Sequence, residues 1–402
     1  MTTGWRMGAL GDFIELKRGY DLPQQSRRPG SFPVISSAGP SDMHAQAMVR
    51  GPGVVTGRYG TLGKVFFVAT DYWPLNTTLY VKDFKGNDPK FISYFLQTVD
   101  FLACSDKAAV PGVNRNHLHL LSAVVPPLPE QRAIARILGA LDDKIELNRR
   151  TNETLEAMAR ALFKSWFVDF DPVRAKVEGR APAAMHAATA ALFPSRMAAQ
   201  AATEVPYTWH WGAFQEIAVV EMGASPDGDT YNTIGVGTPL VNGPVEFGDR
   251  FTVRSKWTTA PIRLCRAEDL VFCVRGSTTG RTVIADGEYA LGRGVAAFRS
   301  TIDATHFVPC LVKESLDVFL ERTTGSVFPN LSGGDIKATC VLVPPAQVQL
   351  AFSSSVRPLV HRQNLNARES ETLAALRDAL LPRLLSGELR VRDAERLAER
   401  AL

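Results

Sequence analysis

The sequence predicts an α+β chain made of an internal repeat: two β-rich globular domains separated by two long helices that pair as an antiparallel coiled coil, with pseudo-twofold symmetry. Three observations predict this. First, Leu138, Leu141, Ile145, Leu155, Ala159, Leu162 and Trp166 follow an alternating three-and-four spacing, with Asn148 and Asn152 filling the middle of the same stripe. That is a heptad seam, and it calls for a second long helix. Second, the Pro126-Pro127 pair before this stretch recurs as Pro344-Pro345, and a second helical stretch follows it. Third, short β-type runs punctuated by Gly and Pro precede each proline pair.

In chain order, residues 1–128 form the first globular domain. Its strand candidates are 32–35, 53–56, 64–68 and 78–81, and a helix is expected over 89–102. Prolines 126, 127 and 129 stop the domain and suit the first turn of a helix, so a long helix fills 129–168, with its core over 130–166. Residues 169–205 hold 11 alanines between 181 and 202, interrupted by Pro182 and Pro194, and read as a loosely packed connector. β-type runs return in 206–345, with strands at 282–285, 295–298 and 340–343 and one helix over 307–320. The second long helix and a tail occupy 346–402.

The repeat is ungapped over the helices. At an offset of 218 residues Leu141 matches Leu359, Asn148 matches Asn366, Leu155 matches Leu373, and Leu162 matches Leu380. The second seam, which also takes in Val356, Gln363 and Arg377, is more polar than the first. The paired asparagines are expected to be buried polar positions that fix register at some cost in stability. Earlier landmarks recur too. Arg58-Tyr-Gly-Thr-Leu-Gly-Lys64 matches Arg275-Gly-Ser-Thr-Thr-Gly-Arg281 at an offset of 217, and Gly19 matches Gly223 at 204.

Charge points to a partner. The chain is mildly basic, with net charge +4 and pI near 8.8. The surplus sits in the globular domains: 13 Arg or Lys against 9 Asp or Glu in 1–128, and nine against four in 250–299. Two similar basic heads facing a pseudo-dyad suit duplex DNA, which repeats along one axis. Five scattered cysteines without a C-x-x-C pair read as buried thiols in a reducing compartment. No apolar run follows the N-terminus as a signal peptide would, and no run of 18 apolar residues could span a membrane. The expected location is the cytoplasm.

The run Pro126-Pro-Leu-Pro-Glu-Gln-Arg132, then Leu141-Asp-Asp-Lys-Ile145 and Leu162-Phe-Lys-Ser-Trp-Phe-Val-Asp-Phe-Asp171, resembles the central conserved region of type I restriction–modification specificity subunits. Leu380-Leu-Pro-Arg-Leu-Leu-Ser-Gly-Glu-Leu389 resembles their distal conserved region. The resemblance covers essentially the whole chain. It implies that the two heads are target recognition domains, each reading half of a bipartite, asymmetric site on double-stranded DNA. It implies that the helices set the spacer and dock two methyltransferase subunits, that restriction subunits join this core, and that the chain itself has no catalytic site and no cofactor. The second half departs from the pattern, reading Pro344-Pro-Ala-Gln-Val-Gln-Leu350, without the charged Glu-Gln-Arg.

Candidate DNA-binding residues flank the glycine turns and the loops around Pro111 and Pro329: Arg58, Tyr59, Lys64, Asn114, Arg115, Arg275, Arg281 and Asn330. Leu138, Leu141, Ile145, Asn148, Leu155, Leu162, Leu359, Asn366, Leu373 and Leu380 are the candidate seam and docking positions. The stretch from Gly57 to Val65 misses a nucleotide-binding P-loop, with five residues between the outer glycines and Val65 where a Mg²⁺-binding hydroxyl belongs. His117-x-His119 lacks the accompanying ligands of a metal site, and Asp169-x-Asp171 reads as a helix end before Pro172. The alternative to DNA recognition is a coiled-coil scaffold that clamps two proteins.

Overall fold

The computed structural model describes residues 4–104, 112–200, 203–323 and 330–402. The loops around Pro111 and Pro329 lie outside them. The fold is α+β, and the chain divides into two compact units: residues 1–147 with 369–402, and residues 148–368. Each long helix, Leu128–Phe167 and Ala346–Leu385, contributes to both.

In the first unit, β1 (Glu15–Arg18), β2 (Gly53–Gly57), β3 (Val65–Val68) and β4 (Thr78–Asp83) form an antiparallel sheet in the order β1-β4-β2-β3. A three-stranded sheet stands beside it, with Phe32–Ser36 flanked by Gly39–His44 and Trp73–Pro74. The expected helix over 89–102 stops at Gln97. Asp88 caps its start by accepting from the Phe91 amide at 2.9 Å, and Leu102, 67% exposed, has no apolar face to join.

One core joins this sheet to the helices. Leu138 and Leu141 of the first long helix pack among Leu373, Leu380 and Leu384 of the second. Lys144 meets Glu369 at 3.3 Å, and Asp142 meets Arg377 at 2.7 Å. Residue numbers rise along one helix as they fall along the other, so the pair is antiparallel. Tyr94 also donates to Asp142 at 2.5 Å, which ties the helix Pro89–Gln97 to the same knot. The C-terminal helix Val391–Glu399 buries Ala394 and Ala398 and pairs Glu395 with Arg136 at 2.8 Å.

In the second unit, β5 (Ala218–Met222), β6 (Leu270–Cys273), β7 (Thr282–Ile284) and β8 (Val295–Ser300) repeat the arrangement in the order β5-β8-β6-β7. The helix pair is again antiparallel, with Asn148 opposite Asn366 and Asn152 opposite Gln363. Its end is filled by rings: Phe163, Trp166 and Phe167 each lie within 5.8 Å of Phe352, centroid to centroid. Such aromatic contacts add roughly 0.5–1.5 kcal/mol each beyond the area they bury.

Two expectations are corrected here. The segment 169–205 is not loosely packed. It holds the helix Asp171–Val177 and the hairpin of Met197–Gln200 with Thr203–Pro206, and it buries Phe170, Val173 and Phe193 in the core of the second unit. Its alanine-rich composition hid three large apolar residues that have that core to enter. The helix expected over 307–320 is two helices, Phe307–Glu314 and Leu316–Leu320, which meet at Ser315.

The strand ladders also correct the repeat register. Arg18 lies opposite Leu79, and Leu79 opposite Thr56. In the second unit Met222 lies opposite Ala296, and Ala296 opposite Phe272. Thr56 therefore corresponds to Phe272, Arg58 to Val274 and Tyr59 to Arg275. Backbone bonds agree: Val113 N donates to Arg58 O at 3.0 Å, and Leu331 N to Val274 O at 2.9 Å. Gly60 and Gly276 share a φ of +79° that glycine alone adopts cheaply, and one extra residue precedes Gly280, the counterpart of Gly63. The constant offset of 217 had passed over that insertion.

Candidate nucleic-acid interface

The ends of β1 and β2 and the start of the helix Arg115–His119 enclose a cleft of about 630 Å³ in the first unit. Four of the eight candidate DNA-binding residues line it: Arg58, Tyr59, Asn114 and Arg115. Three residues not foreseen join them, Lys17, Arg18 and Tyr20. Their signal was the recurring Gly19, which follows β1. A Cβ there would lie 2.2 Å from Leu75 O, so the strand must end on glycine and leave Lys17 and Arg18 at the rim.

The Arg58 guanidinium lies 4.6 Å over the Tyr59 ring and donates to the Tyr59 hydroxyl at 3.3 Å. Stacking presents the guanidinium fork in a defined plane, as bidentate recognition of a phosphate or a guanine edge requires. Tyr20 and Tyr80 share a hydroxyl contact at 3.0 Å. That bond holds the Tyr20 phenol below its ordinary range, while burial pushes Tyr80 above it. Lys17, Arg18, Arg58 and Arg115 face one carboxylate, Asp21, so the cleft is positive.

Asn114 has a local duty. Its side chain accepts from the Asn116 amide at 3.0 Å and caps the short helix. Ser332 does the same for the helix Gly333–Lys337, accepting from the Asp335 amide at 3.2 Å. Lys64 is exposed but does not line the cleft. In the second unit Arg275 and Arg281 are exposed, and Arg275 bridges Asn330 as Tyr59 bridges Gly112. His119 accepts from the Leu16 amide at 2.9 Å through Nε2. Burial, with help from Arg115, lowers its pKa. Among the described residues no group of three or more His, Cys, Asp or Glu could hold a metal ion, and no helix is long and apolar enough to cross a membrane.

The candidate seam residues are used up by helix pairing. Leu138, Leu141, Asn148, Asn366, Leu373 and Leu380 are buried, and Ile145, Leu155, Leu162 and Leu359 are half-buried. Burial leaves the first six no surface for a third chain. Outward apolar positions exist instead, Leu147 at 58% exposure and Leu365 at 46%, equivalent in the repeat. The motif Glu130-Gln131 is internal as well. Glu130 accepts from Trp5 Nε1 at 3.0 Å, and buried Gln131 joins Asn87, Asp88 and Pro126. In the second unit Val348 replaces Glu130, and the buried Trp209 Nε1 has no hydrogen-bond partner.

Residues 2–157 match the family described as type I restriction modification DNA specificity domain. The MjaIX specificity subunit of Methanocaldococcus jannaschii is 26% identical over 300 residues, covering 72% of this chain and 65% of that protein. The HindI specificity subunit of Haemophilus influenzae is 25% identical, covering 81% of this chain and 84% of that protein. The match thus spans just under two thirds of the first of these relatives. A crystal structure of the type I restriction-modification S subunit from M. genitalium superposes with a TM-score of 0.61 at 16% identity, covering 95% of this chain and 96% of that one, so the fold is shared. Residues 2–157 thus match the specificity-domain family, and the chain is similar over most of its length to type I restriction enzyme specificity subunits.

Proposed function

We propose that this chain is the non-catalytic DNA-recognition subunit of a type I restriction–modification complex, working in the cytoplasm. Each unit reads one half of a bipartite, asymmetric site on double-stranded DNA. The paired helices set the spacer and dock two methyltransferase subunits, and restriction subunits complete the assembly. The observation that carries this reading is the recurrence of one sheet order and one glycine-turn framework in both units, with a positive cleft in the first. Arg58, Tyr59 and Arg115 are the proposed contacts in the first unit, with Lys64 and Asn114 beside them. Arg275, Arg281 and Asn330 are their proposed counterparts in the second. Leu147 and Leu365, outward and equivalent, suit two copies of one partner.

The test is reconstitution with methyltransferase subunits followed by mapping of methylated bases. The proposal expects one bipartite sequence, bound with an affinity that falls steeply with salt. Methyltransferase binding with no DNA shift at any salt concentration would instead support the protein-clamping scaffold.

A further inference from the structure

The corrected register makes a comparison possible that the sequence alone does not: which side chains occupy equivalent places on the two frameworks. The shared positions are structural. Gly19 and Gly223 both run against a backbone oxygen, 2.2 Å from Leu75 O and 2.0 Å from Gly292 O as judged by an added Cβ. Val113 and Leu331 are both buried, and Asn114 and Ser332 both cap. Those positions hold the framework and carry no discrimination.

Around the same place, other equivalent positions exchange their chemistry. Arg18 at the end of β1 corresponds to Met222 at the end of β5. The stacked pair Arg58-Tyr59 corresponds to Val274-Arg275, of which Val274 is fully buried and Arg275 exposed. A clasp between two loops is present in both units but built differently. Asn76 donates to Asp21 in the first, and Arg293 donates to Ser225 at 3.2 Å in the second. The clasp residues correspond by the offsets of their neighbours, Gly19 with Gly223 and Leu75 with Gly292.

We infer that these exchanged positions, Arg18, Asp21, Arg58, Tyr59 and Asn76 in the first unit with Met222, Ser225, Arg275 and Arg293 in the second, determine which bases each half-site carries. The inference rests on the DNA-recognition reading and deepens it. Its physical basis is a division of labour: the framework fixes the backbone of the rim, and the side chains presented there differ in number and in donor and acceptor pattern. Arg58 offers a guanidinium fork suited to a guanine edge, and Asp21 is an acceptor suited to a cytosine amine. The second unit offers two forks, Arg275 and Arg293, and no acid at the clasp, so its half-site is expected to be read through acceptor-bearing bases.

The experiment transplants the rim. Full-length chain carrying Arg58→Val with Tyr59→Arg, and separately Asp21→Ser with Asn76→Arg, is reconstituted with methyltransferase subunits, and methylated sequences are mapped beside the unaltered complex. The expected result is a changed or relaxed base preference confined to one half-site, with discrimination there altered about tenfold or more and the other half-site and spacer unchanged. A single Arg58→Lys variant keeps the charge and loses the fork, so it is expected to relax sequence preference while keeping the salt dependence of binding. The inference is overturned if the transplanted chains melt like the parent and methylate the same sequence. It is equally overturned if they weaken binding evenly across all sequences. Failure of the unaltered complex to methylate any bipartite site would instead remove the underlying functional reading.

Discussion

Asn152 and Gln363 bind each other's backbone across the two long helices. Gln363 Nε2 donates to Asn152 O at 3.0 Å, and Asn152 Nδ2 donates to Gln363 O at 3.2 Å. Asn366 adds a bond to Asn152 Oδ1 at 2.9 Å, and Asn148 approaches Asn366 O at 3.4 Å. A seam of leucines tolerates sliding by a heptad, because one leucine layer resembles the next. A reciprocal carboxamide pair does not, since any slip leaves buried donors unpaired.

Asn152→Ala removes one donor and the acceptor of Asn366. Stability is expected to fall by about 1–2 kcal/mol, or roughly 2–6 °C in melting temperature. Thermal denaturation followed by circular dichroism checks it, and a melting temperature equal to the parent's would deny the pair a locking role.

Gln131 and Gln349 are equivalent in the repeat but unequal in their bonds. Gln131 donates to Asn87 at 2.8 Å and to Pro126 O at 2.9 Å and accepts from the Asp88 amide at 2.9 Å. Gln349 donates to Pro344 O at 2.8 Å, and its carbonyl oxygen has no partner. Gln131→Ala is therefore expected to cost about 2–4 kcal/mol and Gln349→Ala about 1 kcal/mol, measured by urea denaturation. Equal costs would contradict the bonding.

The bond from the Leu16 amide requires neutral His119, and burial lowers the pKa of that ring. The unfolded chain then binds a proton more readily than the folded one. Stability from this group is fully present above the ordinary value of 6.5 and is lost as pH falls below it toward the lowered folded value. His306, also lowered by burial, acts in the same direction. The melting temperature is expected to drop from pH 7.5 to 5.5, and to drop less in His119→Gln; an identical drop would exclude His119 as a contributor.

Removing a phosphate-binding charge lowers the salt slope of DNA binding by about 0.9 per contact. Lys17→Ala and Arg115→Ala, at the rim of the positive cleft, are each expected to show that loss in mobility shifts from 50 to 200 mM salt. Unchanged slopes in both would move the DNA away from the cleft.

Seven residues inserted after Arg150 advance one helix by roughly 10 Å against the other and break the register bonds of Asn152. Seven inserted after Gly179, in an exposed turn, disturb no buried side chain. The first chain is expected to lose most of its cooperative unfolding and the second to keep it. Similar damage from both would mean the helix register matters little.

Much of this fold was legible because it depends on periodicity and repetition. The heptad stripe and proline pairs place both long helices within two residues of their ends, and the same stripe picks out Leu141, Asn148, Leu373 and Leu380, all of them buried. Other features depend on what a residue meets. Phe170, Val173 and Phe193 looked like a connector because nothing in the sequence says that a core waits for them. Lys17 and Arg18 looked like ordinary surface until the glycine after them brought the strand end beside Arg58.

By itself the sequence determined that this chain is one unit written twice, each a β-rich domain with a long helix, because hydrophobic period and landmark spacing are local properties of the chain. Only the tertiary structure decided which residues correspond. Hydrogen-bonded ladders count residues strand against strand, and they paired Arg275 with Tyr59 rather than with Arg58. That shift of one residue turns an apparent duplicate into a chemical difference between the two units.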